Sequence, residues 1–227
     1  MELLRISVIM PVALHEDCKK SIEALKKVDY PAEKIELITV KGNRPCTQRN
    51  KAASMAKGEI LYFLDNDSIV DTKIFKKAVA YYSDKNVAGV GGTAITHDTN
   101  TFLQKSFGLM LGSFFAAQAM ASRYRRVGKA RKATEKELIL CNFSMRRQVF
   151  ENVKGFNESL YPNEENELMN RVISKGYSLI YDPNINICRS QRDTVKKFAR
   201  QIFNCGWGRT RQFLIQPSFF QPLFILP

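Results

Sequence analysis

Ile60-Leu61-Tyr62-Phe63-Leu64-Asp65-Asn66-Asp67-Ser68 is a solid apolar run that breaks off into two carboxylates separated by one residue. Five consecutive apolar residues with aromatic and β-branched members, set between Lys57-Gly58 and polar residues, predict a strand buried on both faces of a sheet. Asp65 and Asp67 fall just past its end. In an open α/β sheet, ligands bind in the crevice outside the carboxyl ends of the strands. Two hard oxygen donors there suit Mg²⁺ or Mn²⁺, which keeps positions for water and phosphate oxygens. The same pair also reads as a polar turn, with Ser68 capping a following helix, so the rest of the chain decides between the two.

Upstream, residues 6–10 predict a first buried strand closed by Pro11, and Cys18, Ile22, Leu25 and Val28 then recur at helical spacing. Residues 35–40 predict a second strand, Lys41-Gly42-Asn43-Arg44-Pro45 is loop chemistry, and a helix follows from about Thr47 to Lys57. The order βαβαβ predicts a parallel sheet with right-handed crossovers. Downstream come a helix over 74–82 and a strand over 87–92. Residues 102–126 are apolar almost all round before turning basic at Arg123, Arg125, Arg126, Lys129, Arg131 and Lys132. That stretch reads either as a buried helix with a solvated loop or as an interfacial helix whose basic flank meets anionic headgroups. A strand over 138–145 ends at Arg146-Arg147. A helix from Asn163 to Lys175 opens with acidic residues, as the helix dipole favours. Two short strands around Leu179 and Ile187 and a basic helix over 194–214 complete the pattern.

At 227 residues and 44% apolar content the chain can bury a sizeable core. Lys+Arg 35 against Asp+Glu 22, a formal +13, points to polyanionic partners: nucleic acid, nucleotide phosphates or anionic lipid. Five scattered cysteines form no C-x-x-C pair, so neither a zinc site nor a disulfide framework is expected and a reducing cytosolic setting fits. The start lacks the pattern of a signal peptide. No stretch reaches the roughly 18 to 20 uninterrupted apolar residues of a membrane span, although residues 107–121 and the tail 219–227 come partway. A nucleic-acid-binding module would interleave aromatics with its basic residues; Tyr124 alone does so within 123–132, and the carboxylates would go unexplained. A nucleotidyltransferase would carry a Gly-rich, basic loop after its first strand, and Pro11-Val12-Ala13-Leu14-His15 has neither glycine nor Lys/Arg.

The motifs follow one another in a specific series: Val8-Ile9-Met10-Pro11; Gln48-Arg49-Asn50; Lys57-Gly58-Glu59-Ile60 into Phe63-Leu64-Asp65-Asn66-Asp67; Asn142 through Arg146-Arg147; Gly155-Phe156; Glu164-Glu165-x-Glu167-Leu168; and Gln201 with Gly206-x-Gly208-Arg209. Over roughly residues 5–212 this series resembles the family-2 glycosyltransferases, inverting enzymes of GT-A fold that transfer a sugar from a nucleotide diphosphate. The resemblance implies an α/β, Rossmann-like, mostly parallel sheet flanked by helices, with a C-terminal acceptor-side annex of helices. It implies a single domain over 1–212, with a nucleotide-sugar half (1–97) and an acceptor half (98–212). Residues 213–227 read as an apolar tail, either the start of a membrane anchor or a peripheral tail that packs on the domain.

By the same resemblance Pro11 and Val12 line the base pocket, and Arg49 and Asn50 sit near the nucleotide. Asp65 and Asp67, with Asn66 between them, hold the Mg²⁺ or Mn²⁺ that bridges the diphosphate. Glu165 is the general base for the acceptor hydroxyl, with Glu164 and Asn142 on the acceptor side. Gln201 and Arg209 belong to a segment that closes over diphosphate and acceptor. The implied reaction moves a sugar, with inversion, onto a hydroxyl of a lipid-linked, polysaccharide or other glycan acceptor, at the cytosolic face of a membrane through peripheral contact with anionic lipid and without nucleic acid. The chemistry requires one carboxylate near the acceptor oxygen and cations at the leaving group. Three positions depart from the pattern. Thr39-Val40-Lys41-Gly42 lacks the Asp that pairs with uracil, Arg189 stands where a late His is common, and Glu165 replaces the commoner Asp.

Overall fold

The computed structural model describes residues 3–215; the tail 219–227 lies outside them. The first half runs β1 (Ile6–Val12), α1 (Lys19–Leu25), β2 (Ile35–Lys41), α2 (Pro45–Met55), β3 (Ile60–Leu64), β4 (Ile69–Val70), α3 (Ile74–Ala80) and β5 (Val87–Thr96). The second runs α4 (Phe102–Leu111), α5 (Phe114–Ala117), β6 (Arg131–Ala133), β7 (Asn142–Arg146), α6 (Arg147–Asn152), α7 (Glu164–Ser174), β8 (Ser178–Arg189) and α8 (Val195–Ile215). The strands form one mixed α/β sheet in the order β2-β1-β3-β7-β5-β8-β4, with β6 added on β8.

The apolar runs become the sheet's centre because both faces of it are covered. Along β1 and β3 successive residues serve opposite sides: Val8, Met10, Tyr62 and Leu64 pack with Phe75 of α3, while Ile9, Leu61 and Phe63 pack with Phe150 of α6 and Leu168 of α7. Phe63, Phe150 and Phe156 contact one another edge-on or tilted at 5.2–5.7 Å between centroids. β2, on the sheet's edge, alternates between half-buried and exposed residues.

β1, β2 and β3 are parallel, as are β5 and β8, and these include the two longest ladders. β7 enters antiparallel between β3 and β5, pairing Leu64 with Asn142 and Gly91 with Phe143. The ends of β1, β3, β5 and β8 and the start of β7 therefore meet along one edge.

Four local expectations are corrected. β1 continues through Pro11, which registers with Val40, because a proline removes one donor without leaving the extended region. β7 begins at Asn142; Leu138 and Leu140 are apolar because they are buried, not because they are extended. β8 is one strand whose register slips between Gly91 and Thr93 of β5, so that residues 182–185 bulge out. Residues 102–126 are no single buried helix: α4 starts at a Thr101–Gln104 capping box and gives way to α5 and a 3₁₀ segment, Gln118–Arg123, with Phe102 88%, Leu109 77% and Phe115 97% exposed.

The bulge in β8 needs a bare backbone opposite it. A Cβ on Gly92 would stand 1.7 Å from the Ile185 carbonyl oxygen and 2.7 Å from that of Asp182. Gly92→Ala is expected to cost about 3 kcal/mol or more in urea denaturation, because the obstruction is backbone and cannot rotate away. Gly206→Ala in α8, where nothing lies within 4 Å, should leave stability unchanged or raise it by up to about 1 kcal/mol through helix propensity.

Candidate active site

A cleft of about 690 Å³ opens along the edge where these strands end. Pro11 and Val12 from the end of β1 and Gly42, Asn43 and Pro45 after β2 form one side. Asp65, Asn66 and Asp67 beyond β3 form the floor, and Glu164 and Glu165 from the first turn of α7 face them with Arg49, Arg189 and Arg192. Gln48 is buried behind the first wall, donating to the carbonyls of Val12 and Val40, and so ties the end of β1 to the end of β2. The Asn66 amide donates to Glu16 at 2.9 Å and to the Asp17 carbonyl at 3.0 Å, fixing the loop after β1.

Charge in the cleft is closely paired. Arg49 Nη2 donates to Asp65 Oδ1 at 3.0 Å, and its Nη1 lies 3.3 Å from Glu164 Oε1. Arg189 Nη1 donates to Asp65 Oδ2 at 2.9 Å, and its Nη2 lies 3.7 Å from Asp67 Oδ2. Burial works against the Asp65 anion, but Arg189 and Arg49 outweigh it and hold its carboxyl below the usual range. Asp67 is shifted the other way, raised by burial and by the Asp65 charge beside it. Burial, with the neighbouring Glu165 and Asp65 charges, pushes Glu164 up to about 7.

Asp67 Oδ1 is buried and has no hydrogen-bond partner among the described residues, and that free acceptor fits a cation. Its carboxylate and that of Asp65 could hold a divalent metal whose other positions go to phosphate and water. Among the described residues no third His, Cys, Asp or Glu joins them in a cluster able to hold a metal.

A second cavity of about 720 Å³ lies beyond α7. Its walls are largely apolar, with Leu111, Met120, Ile202 and Phe213 among them, and Arg123, Gln201 and Arg209 supply polar points. Glu165 lines both cavities. Its Oε1 lies 3.4 Å from Arg123 Nη1, and Arg123 is itself buried, donating to the Lys136 and Glu135 carbonyls and to Asn166 Oδ1. Burial beside Arg123 lowers Arg209 to about 10, still a cation at neutral pH.

Three sequence expectations therefore change place. Asn142 is wholly buried and fully used: its amide donates to the carbonyls of Thr93 and Ile185 at 3.0 Å, and its oxygen accepts from Tyr62 at 2.8 Å. It braces β3, β5, β7 and β8 from inside and lines neither cavity. Asn50 turns away from the cleft to clamp Phe156, donating to its carbonyl and accepting from its N–H. The adjoining Gly155 has φ +63, where a Cβ would meet Asn50 Oδ1 at 2.8 Å. Gln201 and Arg209 line the second cavity, not the first. Arg192, absent from the expected set, lines the first and donates to Gln201 at 2.7 Å; no pattern around it marked the position. Glu167 is buried in a two-point pair with Arg171 at 2.5 and 2.7 Å.

Known proteins are similar to this chain in sequence and in fold. The chain is 26% identical over 163 residues to the O-antigen chain rhamnosyltransferase WbaN of Salmonella anatum, a match covering 70% of the chain and 50% of that protein. The fold is similar to that of the mannosyltransferase PcManGT from Pyrobaculum calidifontis, solved with GDP-Man and Mn2+. There the TM-score is 0.69 at 15% identity, over 97% of this chain and 66% of that one. It is also similar to residues 1–349 of S. aureus TarS with UDP, with a TM-score of 0.54 at 16% identity over 79% and 60% of the two chains. The chain thus spans about half of its curated relative and up to two thirds of these structures. The family described as Glycosyl transferase family 2 matches residues 16–154, more than half of the chain, and the protein belongs to that family.

Proposed function

We propose that the protein transfers a sugar, with inversion, from a nucleotide-diphosphate donor to a hydroxyl of a glycan or lipid-linked acceptor. One observation carries this reading: a cleft at the sheet's edge that gathers Asp65 and Asp67 with Arg49, Arg189 and Arg192, and a largely apolar cavity, share Glu165 as a common wall. The donor would lie in the cleft, its base against Pro11, Val12 and Asn43 and its diphosphate toward Asp65, Asp67, Arg189 and Arg192. A divalent metal held by Asp65 and Asp67 would supply Lewis-acid charge to the departing diphosphate. The acceptor would enter from the second cavity, where Gln201 and Arg209 orient its hydroxyls. Glu165 takes the hydroxyl proton as the acceptor oxygen attacks the anomeric carbon and the bond to the diphosphate breaks on the opposite face. Arginines suit that leaving group because a planar guanidinium meets phosphate oxygens in pairs. On this reading residues 1–97 serve mainly the donor and 98–212 the acceptor.

Glu164 competes with Glu165 as base, since a carboxyl near 7 is well matched to proton transfer at neutral pH. Each carboxyl meets an arginine, Glu164 at 3.3 Å from Arg49 and Glu165 at 3.4 Å from Arg123. Glu165 lines both cavities whereas Glu164 lines the first alone of the two, which favours Glu165.

A peripheral membrane contact at the cytosolic face is part of the proposal. No helix among the described residues is long and apolar enough to cross a membrane. Exposed Phe102, Leu109, Phe114 and Phe115 instead stand beside exposed Lys105, Arg125 and Arg126. Arg123 is buried and Arg131 is paired with Glu137 at 2.6 Å, so the basic flank is narrower than its sequence.

A panel of nucleotide sugars, assayed for hydrolysis and for transfer with and without Mn²⁺, tests the activity; no turnover or binding across the panel would refute it. Glu165→Gln is expected to lower turnover on the order of 10²–10⁴-fold with donor affinity unchanged. A dead Glu164→Gln beside an active Glu165→Gln would reassign the base to Glu164.

Glu164 also sets a pH dependence. Its native value near 7 exceeds the ordinary 4.5, so the folded state holds the proton more tightly, and its stabilising contribution, complete below about 4.5, is lost as pH rises through 7. Glu164→Gln should flatten that fall in a urea-denaturation series over pH 4.5–7.

The protein should sediment with anionic vesicles and release as salt rises, and Phe114→Ser/Phe115→Ser should weaken the binding. Equal retention on neutral vesicles would remove the basic flank from the interaction.

A further inference from the structure

Arg189 stands where it prevents the two aspartates from acting as a ready-made metal site. It closes β8 in register with Thr96, and its carbonyl accepts from the His97 N–H at 3.1 Å, so its backbone is fixed to the end of β5. Its guanidinium lies 2.9 Å from Asp65 Oδ2 and 3.7 Å from Asp67 Oδ2, while Arg49 takes Asp65 Oδ1 at 3.0 Å. Three of the four carboxylate oxygens of Asp65 and Asp67 thus face a guanidinium, and Asp67 Oδ1 is the one left over. A guanidinium has no lone pair to give a metal, and a divalent ion within reach of both carboxylates would be pressed against its like charge. Arg189 and a metal cannot share the pair.

We propose that Arg189 is the resident counter-ion of the Asp65–Asp67 pair and releases it only to a diphosphate, so that divalent metal binding is coupled to nucleotide binding. The inference rests on the donor site proposed above. An arriving diphosphate offers Arg189 a planar, two-point anionic partner in exchange for the carboxylates and brings the oxygens a two-carboxylate metal site lacks. The metal brings two positive charges to the aspartates where the guanidinium held one, and the negative charge of the arriving diphosphate offsets the difference. Arg192, also in the cleft and held through Gln201, is placed to receive the same anion.

Mn²⁺ titration followed by electron paramagnetic resonance, on the whole chain with and without UDP or GDP, tests this without measuring turnover. Without nucleotide the parent protein should bind Mn²⁺ weakly, and Arg189→Gln, which keeps a polar side chain but removes the charge, should bind it at least 10-fold more tightly. Arg189→Lys, which keeps the charge, should stay near the parent. With nucleotide the parent's Mn²⁺ affinity should rise about 10- to 100-fold, the range of ordinary binding coupling, and the rise should be smaller in Arg189→Gln. Equal Mn²⁺ affinity of parent and Arg189→Gln without nucleotide would overturn the proposal. If Arg189→Gln does not fold, as circular dichroism would report, the parent alone decides: Mn²⁺ affinity unchanged by a bound nucleotide overturns it. Failure of UDP and GDP to bind under any condition would instead count against the donor site, while the nucleotide-free comparison still judges Arg189.

Discussion

The ionic chain Glu164–Arg49–Asp65–Arg189 is the interaction on which the rest of the site depends. It links the first turn of α7, the interior face of α2, the end of β3 and the end of β8, elements far apart in the chain. Charges this enclosed are costly to remove from water, and partners in direct contact offset that cost. Asp65 is shared by both guanidiniums, so its loss would weaken both pairs at once. The chain therefore fixes the relative positions of the elements that wall the cleft, and within it two guanidiniums face two carboxyls before any ligand enters.

Much of the architecture was legible because buried parallel strands announce themselves. Residues 6–10 and 60–64 are apolar on both faces, and the ordered motifs around them placed Asp65, Asp67, Arg49 and Glu165 on one cleft. The antiparallel entry of β7 was not legible, since five residues carry no mark of the direction in which their neighbours run. β8 was read as two pieces because Asp182-Pro183-Asn184 looks like punctuation, whereas the sheet absorbs it as a bulge opposite Gly92.

The misplaced site residues share one cause. Asn50 and Asn142 are polar residues inside strong motifs, and the motif alone does not tell whether an amide serves a ligand or the backbone. Asn142 meets the carbonyls of Thr93 and Ile185, and Asn50 meets Phe156, both through contacts of long sequence separation. Burying an amide requires such partners, so these asparagines serve the fold that carries the site. For residues 102–126 composition left a buried helix and an interfacial one both open, and the structure leaves several aromatic rings outside.

The attachment of α8 carries a consequence of its own. Its Phe198 stacks on Phe107 at 4.0 Å in a small cluster with Leu111, separate from the two large cores, and its far half meets α7's approach through Gly208 against Asn163 and Gln212 hydrogen-bonded to Asn163. Arg192 on Gln201 and Arg209 near Glu135 are further ties. Attached by polar and ring contacts outside the two large cores, α8 belongs to the part of a fold where local opening costs less than global unfolding. The wall of the second cavity is then its softest element, so amide exchange along α8 would run ahead of exchange in β1 and β3. Molecules of different girth could enter beside Glu165 without disturbing the rigid sheet edge opposite.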